Sequence, residues 1–155
     1  MSETDSDAPY RGAFSGREHR FALRVYFEDT DAAGIVYYAN YLKFMERARS
    51  DMLRAAGIDQ RGALEAGVGV YAVAEANLRY LRPAKLGDDL LIRSTVETVR
   101  AASVIIHQRV MRGTELCAEG RITAAFLTTD GRPTRQPRDW VDRFEAIRAT
   151  PKEQK

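Results

Sequence analysis

One long amphipathic stretch, residues 40–57, constrains the fold more than any other part of the sequence. Apolar residues recur there every three or four positions, at Tyr41, Met45, Ala48, Met52 and Ala56, and charged or polar residues occupy the opposite side. The pattern predicts an α-helix of about five turns, with Asn40 as its N-cap and Gly57 in the left-handed position after its end. Its apolar face needs a covering surface, because those side chains are unfavourable in water.

The remaining periodic segments predict strands, since apolar and polar residues alternate in them. They lie at residues 21–27, 74–80, 90–98, 104–110 and 116–126. Short connections between the later segments favour antiparallel pairing. We therefore expect an α+β fold, an antiparallel five-stranded sheet wrapped around the one long helix, with a short C-terminal helix near Phe144. Alanines at 74, 76, 118 and 124 would face inward and let the helix lie close.

Length and composition favour one domain. The chain has 155 residues, 45% of them hydrophobic, which suits a single folded unit. Residues 1–19 are rich in polar residues and predict a flexible N-terminal tail with a solvated His19, followed by the domain at 20–149 and a C-terminal tail at 150–155. No apolar run approaches the roughly 20 residues of a membrane span, and no secretory signal is visible, so we expect a cytoplasmic protein.

Scarce cysteine and histidine narrow the possible chemistry. One cysteine, Cys117, excludes an intrachain disulfide, and with only His19 and His107 beside it a zinc site lacks ligands. We expect Cys117 to fill the core and His107 to lie on the sheet surface. A net charge of +2 gives no indication of nucleic-acid binding.

Residues 25–49 combine carboxylates, a glycine and a helix start. Glu28, Asp29 and Asp31 fall within four positions just before the predicted helix. Unpaired N–H groups at a helix start can polarise a carbonyl and hold the oxyanion that forms on attack. A neighbouring carboxylate can attack that carbonyl or activate water. The same residues can equally do no more than cap the helix, and the pattern alone leaves both interpretations open.

This segment resembles the hot-dog fold thioesterases of the 4-hydroxybenzoyl-CoA thioesterase family, most closely the acyl-CoA thioesterase branch associated with the Tol–Pal system. The shared features are a strand, the pair Asp29 and Asp31, Gly34-Ile35-Val36, two aromatic residues, Asn40-Tyr41 and an arginine-bearing helix. The similarity extends more loosely over residues 21–145. It implies a hot-dog fold and hydrolysis of an acyl-CoA thioester to a free acid and CoA, with no cofactor.

The resemblance also implies roles for individual residues. Asp31 matches the catalytic carboxylate, and the backbone N–H of Tyr38 matches the group that polarises the thioester carbonyl. The expected substrate-binding residues are Gly34, Tyr37, Asn40 and Tyr41. Aromatic and short aliphatic acyl groups would each fit a pocket lined by residues such as Tyr37, Tyr41 and Tyr71. Some members of the Tol–Pal branch carry a histidine where this chain has Tyr38, so the expected mechanism uses a carboxylate without an imidazole.

Several alternatives stay open at this level. Asp31 can act as a nucleophile or as a general base, and a thiol of pKa ~8.5 leaves in either case without much acid help. Glu46 on the helix is a rival carboxylate, unless it only pairs with Arg49. Basic residues suited to the phosphates of CoA are Arg82, Lys85, Arg100, Arg109, Arg112, Arg132, Arg135 and Arg138.

Two other functions compete with hydrolysis. One is a non-catalytic module that binds acyl-CoA, acyl carrier protein or an envelope-biogenesis partner. The other is a hot-dog hydratase or dehydratase, against which stands the lack of a histidine in residues 28–41. Since unpaired edge strands favour pairing between copies, we expect a homodimer or homotetramer whose site takes residues from two chains.

Overall fold

A computed structural model describes residues 6–149, in which one antiparallel sheet curves around one long helix. The strands are β1 (Ala13–Ser15), β2 (Glu18–Arg24), β3 (Val70–Tyr80), β4 (Asp89–Val99), β5 (Ser103–Arg112) and β6 (Glu115–Leu127). The helices are α1 (Asn40–Ala55), α2 (Gln60–Glu65) and α3 (Arg138–Ile147). The strand order is β1-β2-β4-β5-β6-β3. The predicted α+β class, long helix and C-terminal helix are confirmed, but the sheet has six strands rather than five, and α2 was not expected.

The apolar face of α1 packs on the concave face of the sheet. Its buried residues include Tyr41, Met45 and Met52, as the helical period predicts. Gly57 follows the helix with a φ of +84°, in the predicted left-handed position. The N-cap prediction is wrong, because Asn40 is already the first helical residue and its amide donates instead to the backbone of the preceding loop.

The extra strand lies in the segment predicted to be a tail. β1 pairs with β2, and His19 on β2 is fully buried with its Nε2 2.8 Å from Asp51 Oδ2 on α1. Gly12 N–H donates to the same Asp51 oxygen at 2.9 Å. The prediction of a flexible tail with a solvated His19 is therefore wrong for residues 13–19. A histidine counts as a polar residue in a sequence pattern, so the buried His19 obscured the alternation of apolar and polar residues that marks a strand. Residues 1–5 and the predicted tail at 150–155 lie outside the described residues.

β3 forms an edge of the sheet and pairs only with β6 in the described chain. Ala118 and Ala124 on β6 are buried as predicted, whereas Ala74 and Ala76 on β3 are exposed. The inward placement of these two alanines is wrong, since β3 lies at the rim of the sheet and its register shifts after Val73. β3 therefore presents a free backbone edge to solvent.

A chain of polar side chains crosses the core between α1 and the sheet. Arg49 is buried, and its Nη1 donates to Gln108 Oε1 at 3.0 Å. Gln108 Nε2 donates in turn to Ser94 Oγ and to the carbonyl of Met45, both at 3.0 Å. These bonds satisfy the buried Gln108 amide and tie α1 to β4 and β5.

Candidate active site

The loop between β2 and α1 is held together around Asp29. Its carboxylate accepts from Tyr26 N–H at 2.8 Å, which closes the short 3-10 turn Phe27–Asp29. Its carbonyl accepts from Tyr37 N–H at 3.0 Å and from Asn40 Nδ2 at 2.8 Å. Asp29 and Asn40 therefore fix the backbone path of the loop. The Asn40 side-chain amide already donates a hydrogen bond within the loop, to the Asp29 carbonyl.

Asp31 lies at the head of a tight turn and keeps one oxygen available. Its Oδ1 accepts from Ala33 N–H at 2.9 Å and lies 3.4 Å from Ile35 N, while its carbonyl accepts from Gly34 N–H at 3.0 Å. Gly34 has a φ of +80°, a conformation that other residues adopt only at a cost. Within residues 6–149 no donor contacts Asp31 Oδ2, and the side chain is exposed, so this oxygen can reach a ligand.

The start of α1 leaves backbone donors free beside this loop. Asn40 N–H donates to the carbonyl of Tyr37 at 2.8 Å, and Leu42 N–H donates to that of Ala39 at 3.2 Å. In the described part of the chain the N–H groups of Tyr38 and Ala39, the two residues before α1, have no acceptor. Helix N-terminal amides carry partial positive charge, so these donors suit a carbonyl oxygen that gains negative charge.

The predicted tyrosines divide between surface and core. Tyr37 and Tyr38 are exposed, with ring centroids 5.0 Å apart, and Tyr38 contacts Tyr80 at the end of β3 at 6.0 Å. Tyr41 is buried, and its hydroxyl accepts from Ala84 N–H at 3.1 Å. Burial raises the pKa of Tyr41. The structure thus places Tyr41 beneath the loop, while Tyr80, which sequence analysis did not single out, joins the surface tyrosines.

A second loop, residues 81–88, supports the first from behind. The carbonyl of Ala84 accepts from Val36 N–H at 2.8 Å, and the carbonyl of Gly34 accepts from Leu86 N–H at 3.1 Å. Arg112 on β5 holds this second loop, since it donates to Asp88 Oδ2 at 2.9 Å and to the carbonyl of Pro83 at 3.0 Å. The position of Gly34 and Val36, and through the turn that of Asp31, thus depends on residues far along the sequence.

The rival carboxylate and the histidines lie elsewhere. Glu46 is exposed on α1, with an oxygen 3.7 Å from Arg49 Nη2. His107 lies on the outer face of the sheet, as predicted, beside a depression of about 710 Å³. Cys117 is buried, also as predicted. Of Asp31, Glu46 and the two histidines, Asp31 alone belongs to the loop that precedes α1.

The eight basic residues predicted for CoA phosphates do not form one cluster. Arg82 and Arg112 both pair with Glu115 near the second loop, and Lys85 belongs to that loop, bridged to Ile35. The other five are spread over the outer face of the sheet (Arg109), the β4–β5 connection (Arg100), the turn after β6 (Arg132), the segment before α3 (Arg135) and the first residue of α3 (Arg138). Only Arg82, Lys85 and Arg112 accompany the Asp31 loop.

Residues 6–149 contain neither a candidate metal site nor a candidate membrane-spanning helix. No group of three or more His, Cys, Asp and Glu side chains is arranged to hold a metal ion. No helix in that part of the chain has the length and apolar character needed to span a membrane.

Comparison with known proteins finds thioesterases by family model, by sequence and by structure. Residues 25–148 match the thioesterase-like superfamily. The acyl-CoA thioesterase YbgC of Haemophilus influenzae is 39% identical over 107 residues, which are 69% of this chain and 79% of that protein. The acyl-CoA thioester hydrolase YbgC of Shigella flexneri is 41% identical over 92 residues, 59% of this chain and 68% of that protein.

Solved structures give the same result for the fold. A probable thioesterase from Bartonella henselae superposes with a TM-score of 0.73 at 31% identity, over 77% of this chain and 99% of that one. A 4-hydroxybenzoyl-CoA thioesterase mutant in complex with 4-hydroxybenzoyl-CoA superposes with a TM-score of 0.75 at 25% identity, over 82% and 98% of the two chains. These likenesses confirm the predicted hot-dog fold.

Proposed function

The chain belongs to the thioesterase-like superfamily, and from this we propose that it hydrolyses acyl-CoA thioesters to a free acid and CoA, with Asp31 and the Tyr38 amide at the reacting carbonyl. The observation that carries the proposal is one free carboxylate oxygen on Asp31, in the same loop as a helix-terminal N–H that has no acceptor in the described chain. A carboxylate and an electrophilic donor are the two groups that this hydrolysis requires.

The reaction proceeds by one of two balanced routes. In the first, Asp31 Oδ2 forms a bond to the thioester carbon, the carbon–sulfur bond breaks, and its electron pair leaves with CoA as a thiolate. Water then cleaves the mixed anhydride and restores the carboxylate. In the second, Asp31 takes a proton from water as the water attacks the same carbon; the carbon–sulfur bond then breaks, its electron pair leaves with CoA as a thiolate, and Asp31 gives up the proton to restore its carboxylate. In both, the Tyr38 N–H donates to the carbonyl oxygen as it becomes negative.

The competing functions have less support in the geometry. A hydratase or dehydratase commonly moves protons with a histidine, but His19 is buried against Asp51 and His107 lies on the outer face of the sheet. A binding module needs no available carboxylate, and Asp31 keeps an oxygen that its own loop does not use. Hydrolysis accounts for both observations.

We further propose that two copies pair through the free edge of β3. An exposed strand edge with small residues such as Ala74 and Ala76 can accept a second strand in antiparallel pairing. This arrangement brings the β3 of one copy close to the Asp31 loop of the other. Assembly to a tetramer, action in the cytoplasm, membership of the Tol–Pal branch and use of acyl carrier protein stay predictions.

The test is release of free thiol from a panel of acyl-CoAs by wild type, Asp31→Asn and Glu28→Gln. Asp31→Asn keeps the shape of the side chain and removes its charge, so kcat falls by roughly 10²–10⁴-fold. Glu28 is an exposed neighbour with no hydrogen bond in the described chain, so Glu28→Gln retains activity.

The same panel separates the alternatives. Equal rates for wild type and Asp31→Asn would remove Asp31 from the mechanism. If no acyl-CoA is cleaved but calorimetry detects acyl-CoA binding, the chain is a binding module and the proposed function is wrong.

A further inference from the structure

One buried side chain, that of Gln136, fastens the segment before α3 to the connection between β4 and β5. Gln136 is 5% exposed. Its backbone N–H donates to the carbonyl of Ala101 at 2.9 Å, and its side-chain amide donates to the carbonyls of Arg100 at 2.7 Å and Ser103 at 3.2 Å. Its Oε1 accepts from the hydroxyl of Tyr71. Because the amide oxygen and nitrogen both have partners, the segment is held against the connection in one position.

This attachment brings three arginines to one cavity, here called the arginine cavity. Arg135 and Arg138 flank Gln136 in the sequence, and Arg100 lies on the connection that Gln136 contacts. All three arginines are exposed and line the arginine cavity, whose volume is about 390 Å³. The other residues that line it are Val99, Ala101, Gln136 and Val141. Among the described residues, those that line the cavity thus bring three positive charges and no carboxylate.

The three guanidinium groups have no carboxylate partner within residues 6–149. Two arginines on either side of them in the sequence do have one, since Arg132 lies 3.4 Å from Asp130 and Arg148 lies 2.9 Å from Glu145. Asp139 follows on α3 but does not line the cavity. Like charges gathered in one place repel one another, and a concave surface of one sign concentrates ions of the other sign. An anion from outside residues 6–149 would therefore relieve this repulsion.

We propose that Arg100, Arg135 and Arg138 form a binding site for the phosphate group of a small organic molecule. Each guanidinium presents a planar fork of N–H donors that matches two oxygens of a phosphate. A phosphomonoester carries close to two negative charges at neutral pH, so it balances more of the three positive charges than a carboxylate does. The cavity volume lies within the range for ligand pockets, about 300–1,000 Å³, and Val99 and Val141 offer apolar contact to the organic part.

The arginine cavity lies apart from the catalytic loop of the same copy. Asp89, at the start of β4, follows the second loop, whereas Val99 at the other end of β4 lines the arginine cavity. An extended strand of this length spans roughly 30 Å. The inference therefore does not rest on the proposed function. Two sources carry the required group, a free phosphomonoester such as a nucleoside monophosphate and the 3′-phosphate of CoA.

The test is calorimetry at low ionic strength with adenosine 5′-monophosphate and inorganic phosphate, and with adenosine as the uncharged control. Arg135→Gln and Arg138→Gln each remove one guanidinium from an exposed position, so both keep the fold. We expect wild type to bind the monophosphate and not adenosine. Each variant raises the Kd of the monophosphate by about tenfold or more, because it loses charge-assisted hydrogen bonds to the phosphate.

Arg132→Gln is the matched control, because it removes the same charge from an exposed arginine of the same region that does not line the cavity. Its Kd stays within about twofold of wild type, since exposed charges at a distance are screened. An equal rise of Kd in Arg132→Gln and Arg135→Gln would overturn the inference. So would a wild type that binds neither the monophosphate nor inorganic phosphate at millimolar concentration.

CoA and dephospho-CoA, which lacks the 3′-phosphate, separate the two sources. If wild type binds CoA about tenfold more tightly and Arg135→Gln binds both equally, the site receives the 3′-phosphate of CoA. If wild type already binds both equally, while the monophosphate still binds, the site receives a free phosphomonoester. Either result supports the phosphate site. All of these measurements are made without thioester cleavage, so a failure of the proposed function leaves their outcome unchanged.

Discussion

Tyr41→Phe removes one oxygen atom from beneath the catalytic loop, and its effect on stability follows from the contacts of that atom. The Tyr41 side chain is 3% exposed, and its hydroxyl accepts from the N–H of Ala84, which is 0% exposed. Without the hydroxyl this N–H has neither a protein acceptor nor water. An unsatisfied buried donor costs about 1–3 kcal/mol. At about 2–4 °C per kcal/mol for a domain of this size, Tm falls by about 2–12 °C.

The assay is urea unfolding followed by circular dichroism, together with thermal unfolding of the same samples. Tyr37→Phe is the matched control, because Tyr37 is exposed and its hydroxyl makes no hydrogen bond within residues 6–149. We expect the control to stay within about 0.5 kcal/mol of wild type. Equal stability of the Tyr41 and Tyr37 variants would refute the reasoning, since it would mean that water reaches the Ala84 N–H.

Two further predictions concern pH and backbone strain. Burial lowers the pKa of His19 from 6.5 despite the hydrogen bond to Asp51, so its contribution to the free energy of unfolding is complete above pH 6.5 and is lost as the pH falls below it. Urea unfolding from pH 4.5 to 8 should show the free energy of unfolding falling toward low pH, with a smaller change in His19→Phe. An equal change in both proteins would contradict this prediction. Gly34→Ala forces a left-handed residue and costs about 1–2 kcal/mol, as does Gly131→Ala at the β6 turn. Thiol release should fall only in Gly34→Ala, and an equal fall in both variants would separate the Gly34 turn from catalysis.

The helices and strands that could be predicted from the sequence are those whose buried side chains are nearly all apolar and recur with one regular period. α1 shows an uninterrupted helical period because nearly all of its buried face is apolar, and β4 to β6 alternate for the same reason. The predicted strand at 21–27 covers the second half of β2, whereas β1 and the first residues of β2 escaped prediction, because the buried residue of that segment is His19, whose partner Asp51 is distant in the sequence. A periodicity argument cannot detect a buried histidine that is hydrogen-bonded to a distant carboxylate.

The candidate site shows the same division. The cluster of Glu28, Asp29 and Asp31 before a helix was visible in the sequence, but only the hydrogen bonds distinguish Asp29, which closes a turn, from Asp31, which keeps an oxygen free. The contribution of Ala84 and Arg112 to the loop could not be predicted, since neither lies near it along the chain. Tyr71 was expected at an acyl pocket, but its contacts with Phe126 and Trp140 could not be predicted, because these residues come from separate elements.

The Asp31 loop and the cavity of about 350 Å³ beside α1 are built from different parts of the chain, and this affects which substitutions the protein can accept. Hydrogen bonds within its own backbone and to the second loop hold the Asp31 loop in place. The cavity walls include Leu53, Tyr71 and Ile106, which belong to α1, β3 and β5. Substitutions in these walls leave every hydrogen bond of Asp31 in place. Selection, or a laboratory library restricted to the cavity walls, can therefore change the shape of this cavity step by step while the hydrogen bonds of the Asp31 loop are inherited intact.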